Sequence, residues 1–251
     1  MNTKECLFKY ILRLADDNMI HGQRLAEWCS RGPILEEDIA LSNIALDMFG
    51  QAESFYEYAA SLQGNTTADE LAFRRSEREY YNHLIAEQPN GDFGQTIAKL
   101  VLTSAFSKYL FEALQSSQDE TLKALCAKAL KEVKYHLRHS SEWLIRLGDG
   151  TQESQARVQK GLEEMYLFVE DLFMSNAIDE ELVSMNITVH AQDIRPQWEA
   201  HLAELYNIAH VQKPESTHAI KGGINAIHTE HLGHLLCEMQ YLQRVHPEAT
   251  W

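Results

Sequence analysis

The chain has 251 residues, of which 45% are hydrophobic and 24% charged, and its formal net charge is -15. That is enough apolar material for a sizeable core, and the length fits one large helical domain spanning residues 1–251. So acidic a chain excludes wholesale nucleic-acid binding, which needs Lys and Arg to displace counterions, and argues against anionic membranes.

The first predicted helix covers residues 4–30, where Leu7, Ile11, Leu14, Ile20, Leu25 and Trp28 approximate one apolar face. Asp16 and Asp17 come too early for a signal peptide. No run approaches the roughly 20 apolar residues of a membrane span, so a soluble cytoplasmic protein is expected. The stretch "RGPILEED" turns the chain, and Glu36, Glu37 and Asp38 suit a helix start, where carboxylates oppose the macrodipole. The second helix, 35–63, contains "IALSNIALDMFGQA" and is apolar over much of its circumference, as a helix at the centre of a bundle would be.

After the loop "QGNTTADE" a third helix is expected over 69–87, ended by the turn cluster "QPNGDFG". Within it, "FRRSEREYYNHL" (73–84) mixes cations and aromatics, which fits a solvated helix face or a surface that meets a partner or an anionic ligand. Long helices follow over 95–116 and 119–147, separated by "QSSQD", then another over 153–174. Val183, Ile187 and Val189 roughly alternate and predict a short extended stretch. The last helices are placed at 194–210 and 219–244, with Gly222 and Gly223 as a flexible entry to the second of them. Cys6, Cys29, Cys126 and Cys237 form no C-x-x-C pair and no dense framework, and mostly read as small core residues. With no strand series and no repeat, the fold class is all-α, a helical bundle.

Bundles of this kind can hold two metals between four helices, using a Glu from each of two and a Glu-x-x-His from each of two others. The sequence offers three half-copies: Asp47-x-x-Gly50, Val133-x-x-His136 and Glu230-x-x-Gly233. Each pairs one ligand-type residue with one that cannot bind metal. Glu132 with His136, Glu230 with His234, and His231 with His234 have spacings that share a helix face, but they fall short of six ligands. If Asp47 and Glu230 face the core they need partners, for which His136 and a cation from Lys128, Lys131, Lys134 or Arg138 are candidates. There is no G-x-S-x-G and no phosphate-binding glycine loop.

The stretches "QRLAEWC", "IALSNIALDMFGQA", "LAFRRSEREYYN", "EQPNGDF", "KEVKYHLRHSSEWLIRLGDGT" and "HTEHLGHLLCEMQYLQR" together resemble the PaaC-type subunits of the phenylacetyl-CoA 1,2-epoxidase, from the first helix to the last. The resemblance implies a ferritin-like fold with vestigial half-motifs and a structural, non-catalytic role. It implies a PaaA-type sister subunit that holds the di-iron centre, so that this chain carries no cofactor. A PaaB-type small subunit and a PaaE-type reductase complete the system, which converts phenylacetyl-CoA to its ring epoxide. The resemblance places Glu79, Tyr80, Tyr81 and Asn82 near the substrate, with Glu180, Glu181 and Leu182 as a second candidate stretch. Two other functions compete with this reading. A self-sufficient ferritin-like di-metal oxygenase or iron binder needs the six ligands, and a generic helical interaction protein leaves the half-motifs without an account.

Overall fold

A computed structural model describes residues 2–215 and 218–249. Its helices are, in chain order, α1 (Thr3–Ala26), α2 (Leu35–Gln63), α3 (Ala68–Phe73), α4 (Leu84–Glu87), α5 (Phe93–Ala113), α6 (Glu120–Gly148), α7 (Gln152–Tyr166), α8 (Val169–Leu172), α9 (Ala177–Ser184), α10 (Ala191–Ile208), α11 (Glu230–Met239) and α12 (Tyr241–Val245). No strand occurs among the described residues, and the all-α class is as expected. The chain groups into two compact units, one of Met1–Pro89 with Gly222–Trp251 and one of Asn90–Lys221.

The first unit is built on the pairing of α1 with α2. α1 opens where the Asn2 side chain accepts the Glu5 amide at 2.8 Å, an N-cap that satisfies one of the helix's orphan donors. The acidic start of α2 also behaves as expected. Asp38 accepts the Gly32 amide at 3.0 Å, and backbone amides of Gly32 and Ser30 hold its carboxyl below the usual carboxylate range. α3 opens with a capping box between Thr67 and Glu70.

The helix expected over 69–87 is instead α3, a 3₁₀ turn at Glu77–Glu79, an extended link and α4. Arg75 and the residues after it leave helical geometry because buried side chains elsewhere in the unit claim their backbone groups, as described below. The final helix starts eleven residues later than expected. Gly222 has φ +154° and Ala226 adopts a left-handed conformation with φ +57°, so the chain turns twice before α11 can begin.

In the second unit α5 packs against α6, α7 and α10. Asp92, Asp119 and Thr151 cap α5, α6 and α7 with their side chains. α5 and α7 cross at glycine: a Cβ on Gly161 would lie 2.6 Å from the Gln95 Cα, so no larger residue fits without moving a backbone. Trp198 on α10 is fully buried, donates its indole N–H to the Leu102 carbonyl at 3.1 Å, and meets Phe173 edge-on at 5.2 Å. The extended stretch expected near 183–189 does not form: Val183 ends in α9 and the following residues make a turn. Of the cysteines, Cys6 and Cys126 are buried as expected, whereas Cys29 and Cys237 are exposed.

Candidate functional site

The densest polar chemistry of the first unit is a buried network that α1 organises. Asp16 interrupts the apolar run of α1 and is wholly buried. Such a carboxylate stays charged only if every lone pair is used. Here Oδ1 accepts the Tyr56 hydroxyl at 2.6 Å and one Arg75 Nη, while Oδ2 accepts the other Arg75 Nη at 3.1 Å and the Tyr81 amide at 2.9 Å. The pair is the bidentate fork that suits a guanidinium to a carboxylate. Burial, and then the Asp16 charge, push the Tyr56 phenol well above its ordinary range, so it serves as a donor to Asp16.

Arg75 is held on its remaining sides. Its Nε donates to the Leu71 carbonyl at 2.5 Å, an Nη donates to the Glu79 carbonyl at 2.6 Å, and the guanidinium lies 4.1 Å from the centre of the Tyr80 ring. The neighbouring acid continues the pattern. Asp17 accepts the His83 amide at 2.7 Å and faces His83 Nδ1 at 2.8 Å. Two consecutive acids on α1 thus hold the irregular link between α3 and α4.

A second centre lies at Glu87, the last residue of α4, which is also fully buried. Its Oε1 accepts the Thr229 amide and hydroxyl, each at 2.7 Å, and its Oε2 accepts Asn82 Nδ2 at 2.9 Å and faces His228 Nδ1 at 2.8 Å. His228 Nε2 lies 2.9 Å from the Tyr80 carbonyl. Both ring nitrogens thus face oxygens, an arrangement that suits a ring protonated on both nitrogens. Burial opposes that charge, but the Glu87 hydrogen bond and charge, the Tyr80 carbonyl and the Asp16 charge outweigh it and raise the His228 pKa above its ordinary value.

The last two helices close the network. Gln240 Nε2 donates to the Arg75 carbonyl at 3.0 Å and to the Tyr80 hydroxyl at 2.9 Å, and Arg244 donates to the same carbonyl at 2.9 Å. Arg24 donates to the carbonyls of Glu87 and His231, at 2.9 and 3.0 Å. Around this polar frame Ile20, Tyr80, Ala86, Leu232, Leu235 and Leu236 form one apolar cluster. In "HTEHLGHLLCEMQYLQR", His228, Thr229, Gln240 and Arg244 carry the polar contacts, none of them a residue with metal-ligand spacing.

The half-motif positions are distributed differently from the sequence expectation. Glu230 is exposed at the start of α11 and Gly50 is exposed on α2, while Asp47 and Gly233 are half-buried. Glu230 does not face the core, so the exchange of a metal for His136 and a cation from Lys128, Lys131, Lys134 or Arg138 has no buried Glu230 to act on. On α2 Met48 and Gln51, at 6% and 5% exposure, are a buried pair three residues apart, one position away from Asp47 and Gly50. Val133 and His136 are both buried on α6. Each in its own unit, Met48 and Gln51 on α2 and Val133 on α6 are not the hard carboxylates that a di-iron centre demands. Among the described residues no group of three or more His, Cys, Asp or Glu side chains is placed to hold a metal ion. The donor set does not fit a di-iron centre.

Of the expected substrate contacts, Tyr80, Asn82 and Leu182 are buried. The Tyr80 hydroxyl donates to the Ala72 carbonyl, and Asn82 Nδ2 is taken by Glu87 and by the His83 carbonyl. Glu79 is exposed and caps the 3₁₀ turn through Ser76, while Tyr81 is half-buried. Glu180 is exposed near His190 at 3.7 Å, and Glu181 is half-buried. The stretch 73–84 is accordingly not a solvated helix face: its Arg75, Tyr80 and Asn82 point inward. Asp16, Arg75, Glu87 and His228 were not among the sequence candidates. An acid set between Ile11, Leu12, Leu14 and Ala15 on one side and Met19 and Ile20 on the other was the one local signal available.

No described helix is long and apolar enough to cross a membrane. The family model described as "Phenylacetic acid catabolic protein" matches residues 1–251. The C subunit of the 1,2-phenylacetyl-CoA epoxidase of Escherichia coli (strain K12) is 45% identical over 245 residues, which cover 98% of this chain and 99% of that protein. With the family model matched from end to end and a relative of this identity aligned along nearly its whole length, the chain belongs to the phenylacetic acid catabolic protein family, whose fold is ferritin-like.

Proposed function

We propose that this chain is the non-catalytic structural subunit of a phenylacetyl-CoA 1,2-epoxidase. It supports a PaaA-type sister subunit that carries the di-iron centre, in aerobic breakdown of phenylacetate. A PaaB-type small subunit and a PaaE-type reductase complete the system, and phenylacetyl-CoA binds near the interface with the sister subunit. The observation that carries the reading is the end-to-end relation to a protein named as the C subunit of such an epoxidase. Two features of the chain support it. The half-motif positions Gly50, Val133 and Gly233 hold residues that cannot ligate iron. The buried acids Asp16 and Glu87 are consumed by Arg75, His228 and hydrogen-bond donors, which serves rigidity rather than turnover.

The test is reconstitution. The PaaA-type subunit, the small subunit and the reductase are assayed for dioxygen- and NADPH-dependent epoxidation of phenylacetyl-CoA, with and without this chain. Activity is expected only when the chain is present, together with an assembly that elutes larger than any component. Full epoxidase activity without it would overturn the reading.

A further inference from the structure

α2 reads in sequence as apolar over much of its circumference, as a helix at the centre of a bundle would be. In the folded chain it is covered on one side. Leu41, Ile44, Ala45, Met48, Ala52 and Phe55 are buried, but the opposite side opens to solvent, with Leu35 72%, Ile39 52% and Leu46 64% exposed. The exposed residues have a regular order. Glu36, Ile39, Asn43, Leu46, Gly50, Glu53 and Glu57 are all exposed and recur at spacings of three and four. This seam carries Ile39 and Leu46 as its large apolar residues, flanked by Glu36 at one end and by Glu53 and Glu57 at the other. At Gly50 a Cβ would meet nothing within 4 Å, so this point of the seam is open and offers a close approach to a neighbouring backbone.

The charges on the seam select its occupant. A second copy laid parallel sets Glu36, Glu53 and Glu57 each against itself. A second copy laid antiparallel about Leu46 sets Glu36 against Glu57 and Glu53 against Ile39. Both arrangements join like charges or strand a carboxylate on an apolar side chain, on a chain whose net charge is already -15. Among the described residues Glu53 and Glu57 have no ion-pair partner. We infer that the outer seam of α2 is the docking surface for a helix of a different subunit, one with an apolar stripe at three-four spacing and Lys or Arg opposite Glu36, Glu53 and Glu57. This rests on the subunit reading above and assigns to it a surface and a partner chemistry.

The experiment uses the full chain with the PaaA-type subunit. Leu46→Glu places a charge at the middle of the seam at a site that is open in the isolated chain. Glu53→Lys/Glu57→Lys reverses the acidic end. Tyr241→Glu, at an exposed aromatic on α12, is the control. Melting temperature and far-UV circular dichroism verify that each isolated variant folds. Binding to the partner is read by sizing chromatography with mass measurement and by titration at low and moderate salt. Leu46→Glu is expected to weaken binding about tenfold or more, and the double reversal to weaken it and flatten its salt dependence, while the control stays within about twofold. Binding by Leu46→Glu within about twofold of the unchanged chain would overturn the seam while leaving the subunit reading intact. Failure of the unchanged chain to bind the partner would overturn both. A homodimer of the unchanged chain that Leu46→Glu abolishes would assign the seam to a second copy and overturn the proposal.

Discussion

Glu87 and His228 are separated by 141 residues in sequence, and their side chains meet at 2.8 Å in a site closed to solvent. The contact joins the end of α4 to the chain just before α11. It converts two charges that would each be costly to bury into an ion pair with every polar atom engaged. The returning segment is thus fastened to α4 by chemistry as well as by apolar packing.

The first prediction follows from the state of His228. Its pKa in the folded chain is raised above the value of about 6.5 expected when unfolded. The stability it contributes is therefore fully present below the unfolded value and is lost as pH rises through the folded one. Denaturant unfolding between pH 6 and pH 9 is expected to show falling stability for the unchanged chain. His228→Gln should lose about 3 kcal/mol at pH 6, the order of cost of stranding one member of a buried pair, and the difference from the unchanged chain should shrink as pH rises. A difference that is constant across this range would contradict the imidazolium assignment.

Asp16 and Glu230 separate a buried acid from an exposed one. Asp16→Asn removes the charge that holds Arg75 and leaves the guanidinium buried without it, at a cost of about 3–5 kcal/mol. Glu230→Gln loses at most the interaction of an exposed charge with the start of α11, about 0.3–1 kcal/mol. The ordering is the prediction, read from urea midpoints at constant slope. Equal effects of the two substitutions would contradict the burial described for them.

Much of this architecture is legible in the sequence, and the failures have physical causes. The long helices, their acidic starts and the turn clusters follow from local patterns, which capping chemistry then realises at Asp92, Asp119 and Thr151. Register on α2 was less accessible. With apolar residues on most sides, its periodicity does not say which face turns inward, and the carboxylate at Asp47 drew the metal reading one position away from Met48 and Gln51. The link at 75–83 reads as helix because its propensities are helical. It is pulled out of helix by Asp16 and Asp17, 65 and 66 residues earlier, at the Tyr81 and His83 amides. No local pattern encodes a contact of that separation.

The metal content of the isolated chain is a third prediction. The half-motifs carry Gly50, Val133 and Gly233 where a di-iron centre needs ligands. Protein made in iron-rich medium is expected to hold well below one iron per chain by elemental analysis, and to lack a carboxylate-bridged Mössbauer signature. About two irons per chain with that signature would return the self-sufficient di-metal reading to first place.

The last prediction concerns cooperativity. The first unit is discontinuous: its chain leaves at Pro89 and returns at Gly222, with the whole second unit between. While the second unit is folded, it holds its own two ends at a fixed separation. If it unfolds, the first unit must close a flexible loop of roughly 130 residues, which costs on the order of 4 kcal/mol. That penalty is a large share of the stability of an ordinary domain, about 5–15 kcal/mol. Loss of the second unit should therefore bring down the first, and residues 1–251 should unfold as the single domain that the sequence leads one to expect. Differential scanning calorimetry is expected to give one transition, with calorimetric and van't Hoff enthalpies close to equal. Two resolved transitions, with Glu87→Gln lowering only one of them, would show that the units melt independently and that loop closure contributes less than this argument requires.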